Sequence, residues 1–236
     1  MCFSATASFV TVGITATAGI VCLTRIRGWR ELPLASLPLI FAGQQAVEGF
    51  LWLALPVDPN GPVSSMLTLI FLLYAKVVWP AFAPIAALLI EPEPGRRRLM
   101  AICAAIGAGL AAYFLWSIYT YPHAASIRAG HIVYAGEPQG PAAIGVLYLV
   151  ATAITPLLSS HRAVVLLGSI VFGGSVFAYL LYWEAFASVW CFFAAAGSGV
   201  ILVQFGRLSR IEQTAFAGSR PTLYFLRDDR LRGGSD

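Results

Sequence analysis

Seven apolar runs, each close to the length of a membrane-crossing helix, dominate this chain. They cover about 8–24, 33–55, 65–90, 99–119, 142–158, 163–182 and 187–205. A hydrocarbon core about 30 Å thick calls for about 20 such residues in helical form. Backbone groups in lipid must bond within their own segment, so runs like these become helices. The expected fold is therefore all-α: an integral membrane bundle of seven transmembrane helices. Composition agrees, because 58% of residues are hydrophobic and 11% charged, against about 25% charged in soluble domains. One bundle over 1–206 and a polar, arginine-rich cytoplasmic tail over 207–236 account for the length. In the tail, Arg227-Asp-Asp-Arg230 reads as a solvated or membrane-surface stretch. No basic leader precedes the first run, which is expected to stay as a span.

Arginine sets the expected orientation. Arg25, Arg27, Arg30, Arg96, Arg97, Arg98, Arg162, Arg207 and Arg210 all fall on one side of a seven-span arrangement. Arg128 stands alone on the other. Cytoplasmic flanks are the basic ones, so the N-terminus is placed outside and the C-terminus in the cytoplasm. The same short flanks explain the net charge of +4 and make nucleic acid a poor partner. The lipid bilayer is the expected one.

Within this apolar chain the second run, Phe41–Leu55, stands out. It carries Gln44, Gln45 and Glu48. Gln44, Glu48 and Trp52 recur every four residues and share one helix face, with Gln45 beside them. A carboxyl at membrane depth is costly and marks a working site by default. Lys76, the only lysine, lies in the third run about 10 Å deeper. It is the expected counter-ion of Glu48, either as a fixed structural pair or as part of a ligand, proton or ion site. Pro80 and Pro84 follow it and predict a kink.

The orientation gathers further polar residues on the outer side: Glu184 between the last two runs, Trp183 and Trp190 near it, and His123, Arg128, His131 and Glu137 in the stretch 120–141. That stretch is read as a polar loop able to cover the site. The arginine-bearing side looks chemically plain. Aromatic-belt anchoring accounts for each tryptophan alone, while Trp52, Trp183 and Trp190 near two carboxyls also fit the wall of a pocket for a cationic or planar ligand.

Four cysteines are present, at 2, 22, 103 and 191, without a CxxC pair. Cys2 and Cys191 share the outer side. A disulfide, two free thiols, or a metal site completed by Glu48 and a loop histidine all remain open. The seventh run has no lysine for a retinal linkage, and no histidine lies within a run.

The opening Met1-Cys-Phe-Ser-Ala-Thr-Ala-Ser-Phe9 resembles the start of a bacterial seven-span family known as a domain of unknown function. Gln44-Gln-Ala-Val-Glu-Gly-Phe-Leu-Trp52 and Ser188-Val-Trp-Cys-Phe-Phe193 look like the same family. The resemblance implies a multi-pass protein of the bacterial cytoplasmic membrane and carries no activity or cofactor. Three functions are left open. The first is a binding protein, for sensing or transport, that takes a small ligand or ion in an outward-facing polar pocket. Glu48, Lys76, Gln44, Gln45, Trp52, Glu184 and Trp190 would line that pocket. The second is a membrane enzyme using Cys2 and Cys191. The third is a structural subunit of a membrane complex.

Overall fold

The computed structural model describes residues 4–136, 142–181 and 197–205. The described chain is mostly helical. Helix α1 spans Ala5–Leu23 and starts where the Ser4 hydroxyl accepts the Ala7 N–H at 3.2 Å, the usual N-cap arrangement. Ser8, Thr11, Thr15, Ala18 and Cys22 form its buried stripe. The Thr11 and Thr15 hydroxyls donate to Ala7 and Thr11 carbonyls one turn back, so they need no partner from another helix.

Helix α2 spans Leu32–Ala54 and runs antiparallel to α1. Contact is close at two glycines. A Cβ on Gly19 would stand 2.9 Å from the Leu39 nitrogen, and one on Gly49 would stand 2.9 Å from the Phe9 ring. A turn rich in proline and glycine leads to α3, Pro62–Ile90, and a short connection leads to α4, Pro94–Thr120. Each begins on a proline, whose missing N–H costs nothing in a first turn. Helix α5 covers Ala142–Leu157 and α6 covers Arg162–Leu181. Residues 198–205 are helical again. The short connections alternate the helix directions. Arg25, Arg96 and Arg162 therefore share one end, the arginine end, and the α2–α3 turn lies at the other.

Four helices, α1, α3, α4 and α6, are long and apolar enough to cross a membrane. The sequence predicts seven. Helix α2 has the length, at 23 residues, but Gln44, Gln45 and Glu48 lower its apolarity. Helix α5 falls in the shorter class. Most of the seventh run lies outside the described residues.

Two helices widen into π turns, at Leu73–Val78 in α3 and at Val150–Ile154 in α5. Both sit just before a proline. The Trp79 N–H bonds to Tyr74 O and the Thr155 N–H to Val150 O, five residues back in each case. Proline at 80 and 156 has no N–H and presses on the carbonyl four residues earlier. The extra residue relieves that clash and leaves the carbonyls of Ala75 and Ala151 without a helical donor. For Ala75 the replacement is the Tyr148 hydroxyl of α5, which donates to its carbonyl. Pro84 likewise frees the Pro80 carbonyl, and Gly107 of α4 lies directly on it: a Cβ there would stand 1.9 Å from the oxygen.

The polar stretch 120–141, expected as an irregular loop, contains a β-hairpin. Strands β1, Ala124–Arg128, and β2, His131–Ala135, pair antiparallel with Arg128 opposite His131. Ala129 at φ 47° and Gly130 at φ 76° form the two-residue turn, whose positive φ values match the primed types that suit hairpin twist. Ile132 is fully buried, and the Tyr134 ring stacks on Phe71 of α3 with centroids 4.3 Å apart. The hairpin is thus anchored on the bundle.

At the arginine end the expectation of plain chemistry is wrong. Glu91, just past α3, is 2% exposed. Its carboxylate accepts from the Ser159 hydroxyl at 3.0 Å, the Ser160 N–H at 2.7 Å, the Ser160 hydroxyl and the Glu93 N–H at 3.1 Å. Arg96 donates to the Leu158 and Ser159 carbonyls at 2.9 and 3.2 Å. One connection therefore places an anion at the start of α6 and a cation at the end of α5, each suited to the helix dipole it meets. His161 Nε2 lies 3.0 Å from the Ile90 carbonyl and closes the contact.

Candidate functional site

The buried face of α2 carries the site. Gln44 and Glu48 are fully buried and Gln45 is 2% exposed. Their i, i+1, i+4 spacing puts all three toward the bundle, while Phe50 and Leu53 face outward. Gln45 Nε2 donates to Glu48 Oε2 at 3.1 Å. Gln44 Oε1 accepts from the indole Nε1–H of Trp79 on α3. The Trp79 ring also stacks on Phe41, one turn from Gln44, with centroids 3.9 Å apart and 21° between planes. Gly43 makes room for α3 alongside: a Cβ there would stand 2.7 Å from the Tyr74 hydroxyl oxygen. Gln44 and the Trp79 indole thus join α2 to α3 in a polar layer that the Gln45–Glu48 pair continues along α2.

Lys76 lies in the π turn of α3, one turn before Trp79. Its ammonium stands 5.6 Å from the Phe114 ring centroid of α4, within cation–π range. Phe114 is edge-on to Tyr148 at 6.3 Å. The lysine therefore joins an aromatic layer on the α4–α5 side of α3, and Trp79 joins the amides on the α2 side.

Among the described residues, two polar atoms near this layer are buried without a hydrogen-bond partner: the Ser8 hydroxyl of α1 and the Trp52 indole nitrogen. Ser8 is fully buried and adjoins Phe9, which packs on Gly49 beside Glu48. Buried orphans of this kind need an explanation, commonly a bound water or ligand. A cavity of about 30 Å³ abuts the layer through Phe41 and Trp79, but the rest of its lining is almost wholly apolar, including Leu34, Leu37 and Leu167. It runs toward the arginine end, away from Glu48.

Several expected site residues, Cys2, Glu184, Trp190 and Cys191, lie outside the described residues, as do Trp183 and Glu137. Among the described residues no three of His, Cys, Asp and Glu cluster as metal ligands. Cys22 and Cys103 are free and buried. His131 flanks the hairpin turn, and burial holds its imidazole below the usual histidine range. Sequence reasoning missed Trp79 and Tyr148. The available signal was the pattern of Tyr74–Pro80 and Val150–Pro156, each with alanine five residues before the proline.

No curated protein and no solved structure matches the chain. One family does, described as a family of unknown function (DUF6629), and it matches residues 1–216. That span holds the α2 polar face, Trp79 and both π turns, and the chain belongs to this uncharacterised family.

Proposed function

We propose that the protein is a seven-span protein of the bacterial cytoplasmic membrane, N-terminus outside and C-terminus inside. It binds a small ligand or ion in an outward-facing polar pocket, for sensing or transport. Glu48 supplies the principal charge, and Gln44 and Gln45 orient it. Lys76 supplies the counter-charge. Trp52, Trp190 and Glu184 complete the outer wall. One observation carries the reading: a fully buried carboxyl in α2, at a depth where a charge must be matched by a cation or quenched by a proton. The orphaned Ser8 hydroxyl and Trp52 N–H support it, because both await a partner at that level.

The test uses protein in lipid nanodiscs and a panel of monovalent ions, divalent ions and small organic cations. A ligand at about 100 times its Kd stabilises by about 2.7 kcal/mol, which moves the thermal midpoint by a few degrees. We expect such a shift for one class of solute, and its loss in Glu48→Gln with folding retained. A Glu48→Gln protein that keeps the shift overturns the reading. So does a panel without binding in which Glu48→Gln merely melts lower, the behaviour of a structural subunit. Metal with a reactive Cys2–Cys191 thiol pair in the purified protein would favour the enzyme.

A further inference from the structure

The π turn of α3 leaves the Ala75 carbonyl to a donor from another helix, the Tyr148 hydroxyl of α5. In the observed register the Trp79 N–H bonds to Tyr74 O. The Ala75 carbonyl has lost its donor four residues on, which is occupied, and its donor five residues on, which is Pro80. The Tyr148 hydroxyl takes that carbonyl. A second register is available: the Trp79 N–H returns to Ala75 O, four residues back, and the segment becomes ordinary α-helix. Pro80 then presses on the Lys76 carbonyl and kinks the chain. Each register has one backbone defect, so neither wins on local grounds. A donor from another helix decides.

The two registers differ at the candidate site. Removing a one-residue bulge rotates the segment beyond it by about 100°, one residue's share of a 3.6-residue turn. Trp79 is the first residue beyond the π turn. In the observed register its indole reaches Gln44 and its ring lies on Phe41; after the rotation it reaches neither. Tyr148 sits just before the π turn of α5, so a change in that helix moves the hydroxyl. We propose that Tyr148 is a positioning residue: by occupying the Ala75 carbonyl it selects the π register of α3 and seats Trp79 on Gln44. The bond thereby couples α5 to the polar layer of α2. The coupling concerns the backbone of α3 and stands whatever ligand the pocket takes.

The experiment needs no ligand. Protein labelled with 15N-tryptophan in lipid nanodiscs gives an indole N–H resonance for Trp79, assigned by its loss in Trp79→Phe. Tyr148→Phe keeps the ring and removes the donor. The expected result is a Trp79 resonance moved by more than its linewidth, with faster exchange than in wild type. Pro80→Ala removes the clash on the Lys76 carbonyl that disfavours the α register, so in the Tyr148→Phe background it should leave the resonance at its shifted position. A resonance that stays in place in Tyr148→Phe overturns the proposal. So does one that moves in Tyr148→Phe and returns to the wild-type position when Pro80→Ala is added. Should Tyr148→Phe alone fail to fold, the double variant must fold with the Trp79 resonance away from its wild-type position; a double variant with the wild-type resonance, or one that does not fold, overturns it.

Discussion

At the residue scale, two buried carboxyls show how environment separates structure from function. Glu91 is satisfied by Ser159, Ser160 and Glu93. Burial works to raise its pKa, and those hydrogen bonds outweigh it, holding the group below the ordinary carboxylate range. The folded state thus binds a proton more weakly than the unfolded chain, whose value is about 4.3. The stabilisation is complete above that value and is lost as pH falls through the lower folded one. Glu91→Gln should therefore cost about 1–3 kcal/mol at neutral pH, measured by chemical or thermal unfolding. The gap to wild type should narrow as pH falls below the unfolded value, and a gap independent of pH would deny the charge its role. Glu48 has Gln45 beside it, and the proposed function gives it a role beyond folding. The spacing of Gln44, Gln45 and Glu48 was legible because it is local to one helix. Trp79, 35 residues from Gln44, was not, because no local pattern says which indole meets which amide.

At the element scale, proline and glycine shape the helices. The kink read from Pro80 and Pro84 takes the form of a π turn, and a second one precedes Pro156. The freed Pro80 carbonyl requires a glycine opposite it. Gly107→Ala should push α4 from α3 and cost at least about 3 kcal/mol, seen as a lowered thermal midpoint or loss of monodisperse protein. Gly109→Ala, with nothing within 4 Å of its Cβ, is the control and should be near neutral. Equal tolerance at both positions would contradict the close approach. Helix limits were legible from apolar length and proline. The hairpin was missed, although Ala125 and Ile127, then Ile132 and Tyr134, alternate around Ala129-Gly130. Charged and polar residues between long apolar runs read as loop, and a short strand pair gives little periodicity against that background.

For the whole molecule, the structure supplies four helices apolar enough to cross a membrane; the seven-span arrangement is the proposed reading, taken from the length of the apolar runs and oriented by the arginines. In that proposed arrangement α2 is a span whose polar residues Gln44, Gln45 and Glu48 are buried within the bundle. Its membership depends on its neighbours, which is why apolarity alone leaves it out. The polar layer lies nearer the hairpin end: Glu48 is six residues, about 9 Å, from the last residue of α2. If the hairpin end is outside, a solute reaches Glu48 from that side. The most direct measurement places a cysteine at Glu48 in a background lacking Cys2, Cys22, Cys103 and Cys191. A membrane-impermeant thiol reagent is then added to intact spheroplasts, with Arg128→Cys on the hairpin as the exposed reference. The account predicts modification of both Arg128→Cys and Glu48→Cys from outside, the second more slowly. Labelling of Arg128→Cys with a folded Glu48→Cys that stays unreactive would contradict an outward-facing pocket, and labelling of neither would invert the orientation.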